Sequence, residues 1–161
     1  MKQEIINKLP PDVKKEFMKY AIKLDQKKTE NKVKSDFLSF VKHVWPEFIE
    51  GDHHKKIAEK FNRLAEGKAK RIIINMPPRH TKSEFSSYLL PAWMVGRKPN
   101  LKIIQTTHTT ELAIRFGRKA KTLIDSPEYQ QVFKTRLRED SQAAGKWETE
   151  QGGEYYSAGV G

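Results

Sequence analysis

The stretch Arg71-Ile-Ile-Ile-Asn-Met-Pro-Pro-Arg-His-Thr-Lys-Ser-Glu84 decides how this chain is read. A β-branched run, Ile72 to Ile74, stops at Pro77 and Pro78, since proline cannot donate to a ladder. A short loop follows, then Lys82-Ser83 and a segment with helical character. A buried strand, a loop and a helix N-terminus in that order make a phosphate-binding loop. Backbone N–H groups wrap the phosphates, a lysine reaches the β/γ-phosphates and a hydroxyl binds Mg²⁺. The partial positive charge of the helix N-terminus favours the anion.

Against the pattern G-x-x-x-x-G-K-[ST], Met76 and Thr81 stand at the two glycine positions, and only Lys82 and Ser83 match strictly. The competing reading is an ordinary strand-to-helix turn with a solvated lysine. Arg79 favours the phosphate loop, because a guanidinium pairs two phosphate oxygens at once. Thr81 opposes it. A β-branched residue is disfavoured where φ is positive. Either the loop avoids positive φ at 81, or nucleotide binding is compromised.

Outward from the loop, alternating elements appear. Residues 10–28 carry an apolar stripe at Val13, Phe17, Tyr20 and Leu24, with Pro10 and Pro11 at the start of the helix. Residues 26–34 read as a basic polar linker. Ser35 is the candidate N-cap of a helix through Trp45, ended by Pro46. Asp52 is the candidate N-cap of a helix with Ile57, Phe61 and Leu64 inward and Gly67 at its stop. The helix after the loop runs from Lys82 to about Gly96, with a kink expected at Pro91. Leu101–Thr107 reads as a second strand, about 109–125 as an amphipathic helix, and Ser126–Phe133 as a short one. Trp147 to Ala158 reads as a hairpin turning at Gly152-Gly153. The Gly-rich end, Gly159-Val-Gly161, reads as an interrupted sequence.

Strand, helix, strand, helix implies an α/β domain with a parallel sheet and flanking helices, preceded by an N-terminal helical segment. Ligands of such sheets bind at the carboxyl ends of strands, where Pro77–Ser83 and Thr106–His108 would both lie. The 161 residues suit about one domain. A net charge of +11 points to a polyanionic partner, nucleic acid in the simplest case, or else to a basic solvated surface. Zero cysteines exclude disulfides and thiolate metal sites. The sequence has no apolar stretch of membrane-spanning length, and residues 1–15 lack a signal-peptide core. Adjacent His53 and His54 make a poor metal pair. Trp45, Trp93 and Trp147 read as core or interface residues. Arg115, Arg118, Lys119 and Lys121 form a basic helix face, solvated or in contact with DNA.

With Pro77-Pro-Arg-His-Thr-Lys-Ser-Glu84, Gln105-Thr-Thr-His108 and Arg115-Phe-Gly-Arg118 together, the chain resembles the large terminase subunit of tailed bacteriophages, in the N-terminal part of its ATPase domain. In that family the loop typically reads P-P-R-H-G-K-S-E. The segments Phe85–Met94, Glu139–Trp147 and Gly152–Tyr155 also match, and the likeness runs from about Asp36 to the end. It implies a P-loop NTPase fold and a motor that packages DNA into a capsid by hydrolysing ATP. By carry-over, Lys82 contacts the β/γ-phosphates, Ser83 ligates Mg²⁺ and Arg79 stabilises the γ-phosphate, with Pro78, His80 and Thr81 completing the loop. His53 near the adenine, or simply exposed at a helix start, are both open.

ATP and Mg²⁺ are the implied cofactors. Double-stranded DNA, a portal protein, a small terminase subunit and further copies in a ring are the implied partners. The implied setting is the host cytoplasm and, transiently, the capsid portal. The family's strand ending in Asp-Asp or Asp-Glu (the Walker B strand) and its nuclease domain have no counterpart in these residues. The expected domains are therefore 1–34, a helix and basic linker, and 35–161, a partial ATPase domain. Such a chain is expected to bind nucleotide but to turn it over poorly alone. Two rivals stand beside it: a non-hydrolysing DNA- or portal-binding chain, and another P-loop nucleic-acid motor such as a helicase.

Overall fold

The computed structural model describes residues 10–160, so expectations for residues 1–9 and Gly161 lie outside the described residues. Helix α1 spans Pro11–Ser35, α2 Phe37–Val44 and α3 Asp52–Ala65. After the loop come α4 (Lys82–Glu84), a π-helical turn (Phe85–Leu89) and α5 (Leu90–Arg97). Then follow β1 (Lys102–Thr107), α6 (Thr110–Ile124), α7 (Pro127–Val132), β2 (Leu137–Ala143), β3 (Lys146–Thr149) and β4 (Glu154–Gly159).

The chain is α/β, but its sheet is mixed rather than parallel. The order is β1-β4-β3-β2; β1 and β4 pair in parallel, while β3 pairs antiparallel with both β4 and β2. The reason lies in connection length. Two residues separate β2 from β3 and four separate β3 from β4, which permits only hairpins, whereas the path from β1 to its parallel neighbour β4 runs through α6, α7, β2 and β3. Gly153 lets the last hairpin close against the turn before β1. A Cβ there would lie 2.2 Å from the Pro99 carbonyl oxygen, too close for any other residue.

The expected strand at Ile72–Ile74 is not a ladder strand, nor is the surrounding segment 71–76. The segment is extended, with Ile72, Ile74 and Met76 packed on the core and Ile73 87% exposed. This is the period-two alternation of a strand. Yet the backbone of residues 71–76 has no backbone–backbone hydrogen bond among the described residues. Side-chain burial holds the segment in place without a partner strand. β1 likewise has one free edge, beside a cavity of about 730 Å³ lined in part by Lys70, Leu90, Met94, Ile103 and Gln105.

Several boundaries differ from the sequence expectation. Residues 26–34 are helical, because α1 continues to Ser35, where Val33 is buried and its carbonyl accepts from the Trp93 indole N–H at 3.1 Å. The α1 stripe lies in solvent, with Phe17 46% and Tyr20 63% exposed. Asp36, not Ser35, caps α2: its Oδ2 accepts from the Ser39 N–H at 2.7 Å. Gly51 rather than Asp52 precedes α3, and Gly67 closes it at φ 75°. Pro91 distorts its helix one turn earlier, as a π-turn in which the Leu90 N–H donates to the Phe85 carbonyl. That wider turn accommodates a ring that cannot donate and would clash with the preceding turn.

The core joins helices to sheet. Phe37 meets Phe61, Phe85 and Trp93 edge-on, with ring centroids 5.1, 5.4 and 5.4 Å away. Trp147 and Tyr155, cross-strand partners on β3 and β4, stack at 4.6 Å under α6. Trp93 and Trp147 are fully buried, so both are core residues, while Trp45 is half-buried beside Phe48. The other sheet face is open, with Ile104 and its register partner Tyr156 77% and 51% exposed.

Candidate functional site

The loop between the extended segment and α4 brings its cations to the surface. Pro78, Arg79, His80 and Ser83 are exposed, while Thr81 and Lys82 are half-buried. Two residues take positive φ: Arg79 at 64° and Thr81 at 57°. Of the two alternatives the sequence left, the loop does not avoid positive φ at 81, so Thr81 counts against nucleotide binding unless its backbone is supported. An anion nest is built from alternating right- and left-handed residues, and the two left-handed residues at 79 and 81 are the part of that pattern seen here.

Thr81 bears the cost of a left-handed backbone, about 1–2 kcal/mol for a residue with a Cβ. Its side chain is held in return. The Gly51 N–H donates to His54 Nδ1 at 2.9 Å, so the ring proton sits on Nε2. Nε2 lies 2.7 Å from Thr81 Oγ1 and donates to it, and that hydroxyl donates to the His80 carbonyl at 2.7 Å. The chain of bonds runs in one direction from α3 into the loop. His54 is 5% exposed, between the rings of Phe48 and Phe85 at 4.7 and 5.1 Å. Burial, then the nearby His53 and more weakly His80, push its pKa below the ordinary 6.5, against an opposing pull from Glu50.

Lys82 folds back over the loop, where its Nζ donates to the Met76 carbonyl at 3.3 Å. This neutral, long contact is one a phosphate oxygen can replace. Arg79 makes no ion pair, and the Ser83 hydroxyl makes no hydrogen bond, among the described residues. These donors fit a phosphate chain with Mg²⁺ on the Ser83 oxygen. Glu84, next to Ser83, is engaged elsewhere: Lys119 on α6 donates to both of its carboxylate oxygens at 3.0 and 2.9 Å. Among the described residues no group of three His, Asp or Glu side chains could hold a metal ion.

Of the expected site residues, Pro78 to Ser83 lie together because they are contiguous. His53 joins them through space, its ring 5.6 Å from that of His80. Thr106 and Thr107 end β1, where Thr107 Oγ1 donates to the Thr109 carbonyl at 2.7 Å. His54 is the residue that sequence reasoning missed. It lies 27 positions before Thr81 and no local spacing links the two, so the one signal was the threonine itself, a residue in need of support. On α6, Arg115 and Arg118 are exposed, and the face borders a cavity of about 440 Å³ lined also by Tyr88, Lys119 and Leu123. No helix among the described residues is long and apolar enough to cross a membrane. Comparison with protein-family models, with curated proteins and with solved structures finds no match to this chain.

Proposed function

We propose that this chain is the ATP-binding portion of a nucleic-acid motor, a viral DNA-packaging ATPase of the large-terminase kind. The observation that carries the reading is the loop itself. Two left-handed residues, a lysine folded over the loop and a free serine hydroxyl stand at the start of a helix reached from an extended apolar segment. In this reading Lys82 moves from the Met76 carbonyl to the β/γ-phosphates, Arg79 neutralises the γ-phosphate and Pro78, His80 and Thr81 shape the cradle. Mg²⁺ bound at Ser83 supplies further charge neutralisation of the phosphates. The rest of the motor reading follows the sequence resemblance: a P-loop NTPase fold, double-stranded DNA, portal and small-subunit partners, a ring of copies, and a place in the host cytoplasm and at the capsid portal.

The test is thermal unfolding with Mg·ADP or inorganic tripolyphosphate at millimolar concentration. Ligands that bind the folded form alone raise its stability by RT ln(1 + [L]/Kd). A shift in the wild type that vanishes in Lys82→Ala supports the reading; no shift in either contradicts it.

One observation favours a second reading. Arg115 and Arg118 are exposed one turn apart on α6 without ion pairs among the described residues, a pattern suited to nucleic-acid phosphates. A chain that binds DNA with steep salt dependence but no nucleotide would be a non-hydrolysing DNA- or portal-binding protein.

A further inference from the structure

We propose that His54 is a positioning residue that does for this loop what glycine does in the usual phosphate-loop pattern: it makes a left-handed backbone tenable at position 81. The phosphate-binding consequence rests on the function proposed above; the positioning role does not.

Four observations carry it. Thr81 has φ 57° and occupies the place of the glycine just before the lysine and serine. A β-branched residue is a true outlier there. Its Oγ1 does not cap its own helix, although threonine is a favoured N-cap; no side-chain cap bond is made at position 81. The hydroxyl is instead fixed between His54 Nε2 and the His80 carbonyl. His54 is itself fixed, by the Gly51 N–H on Nδ1 and by the rings of Phe48 and Phe85. Each nitrogen has one assigned role, so only the neutral Nε2–H tautomer serves both bonds.

The chain of contacts ties loop shape to α3. Gly51 sets the ring, the ring sets Thr81, and Thr81 sets the direction of the first N–H groups of the helix that begins at Lys82. A loop glycine would reach the same φ unaided, but would also populate many other conformations before binding. Threonine held by His54 gives a loop already shaped for its ligand, the arrangement expected to favour affinity.

The test compares the wild type with His54→Leu, His54→Gln, Thr81→Gly and the double variant His54→Leu/Thr81→Gly. Each is measured by thermal unfolding and by titration with Mg·ATP. Gln retains an N–H near Nε2 and is expected to bind within about twofold of wild type. Leu keeps the apolar packing but loses the bond, and is expected to bind roughly tenfold more weakly. Thr81→Gly in the same chain is expected to return that loss, because glycine needs no support. Unfolding follows the same pattern, His54→Leu lowering the midpoint far less in the Thr81→Gly background.

Wild-type affinity in His54→Leu, or equal weakening with and without Thr81→Gly, overturns the proposal. Should no chain bind Mg·ATP, wild type included, the nucleotide reading fails by itself. The unfolding cycle then still decides the positioning role: non-additive midpoints sustain it, and additive midpoints overturn it.

Discussion

Lys119 on α6 grips both oxygens of Glu84, the residue directly after the loop's Lys82-Ser83 pair. The contact spans 35 residues of sequence and ties the first turn after the loop to the helix that covers the sheet. The same ammonium lies 5.3 Å from the Tyr88 ring centroid. Both partners are about one-third exposed, so water screens the pair. A double-mutant cycle of Glu84→Gln and Lys119→Met is expected to give a coupling of at most about 1 kcal/mol, falling with added salt. A coupling that ignores salt would mean that the pair is shielded more than its exposure implies.

Asp36 joins two helices at one carboxylate. Its Oδ2 accepts from the Ser39 N–H, and its Oδ1 from the Asn62 amide at 2.8 Å, while Asn62 Oδ1 accepts from the Phe37 N–H at 2.8 Å. Burial raises the carboxyl pKa, but the bonds from Ser39 and Asn62 outweigh it and leave it below 3.8. Asp36→Ala removes a cap and strands Asn62, so a loss of about 1–2 kcal/mol is expected in urea unfolding at neutral pH. Because the folded-state pKa is depressed, this contribution is present above pH 3.8 and fades as acid takes the pH through the folded value.

α6 touches the β2–β3 turn at Gly117. A Cβ there would lie 2.3 Å from the Ala144 carbonyl oxygen, and the Gly117 carbonyl accepts from the Trp147 indole at 3.3 Å. The obstacle is backbone, so it cannot rotate away. Gly117→Ala is expected to cost about 1–3 kcal/mol despite the better helix propensity of alanine. A neutral or stabilising result in thermal unfolding would show that the helix can lift from the turn.

Acid should act on the loop through His54. Its folded-state pKa lies below 6.5, so below that pH an unfolded chain takes up a proton that the folded chain refuses. The titratable groups acting on it are His53 on its own helix, His80 in the loop, and Glu50, which itself pairs with Lys42 and Lys55. Stability is therefore expected to fall as pH drops from 6.5 toward the folded value, and His54→Leu should flatten that part of the profile. An unchanged profile would place the acid sensitivity elsewhere.

Most helices were legible from the sequence because periodicity is local, although the expected caps Ser35 and Asp52 each lie one residue from the observed ones, Asp36 and Gly51. Thr109 and Ser126 cap α6 and α7 through their side chains, and the hairpin announced itself by Gly152-Gly153 between two aromatic runs. What failed was non-local. Strand character at Ile72–Ile74 is present in the burial alternation, but a ladder needs a partner that no local pattern supplies. The parallel sheet was expected from Ile72–Ile74 and Leu101–Thr107, whereas the parallel partner of β1 is β4, a strand of the hairpin. The apolar stripe of α1 was legible, but not the fact that it faces solvent. Within the site, contiguity made Arg79, Lys82 and Ser83 visible, while the long-range supports of Thr81 and Glu84 became visible only in three dimensions.

The central claim is that the loop from Pro78 to Ser83 binds the phosphates of a nucleotide. Isothermal titration of the chain with Mg·ATP, with Lys82→Ala alongside, tests it most directly. The account predicts saturable binding near one site per chain, lost or weakened by at least about tenfold in Lys82→Ala. Equal heats from both proteins, or none from either, would contradict it.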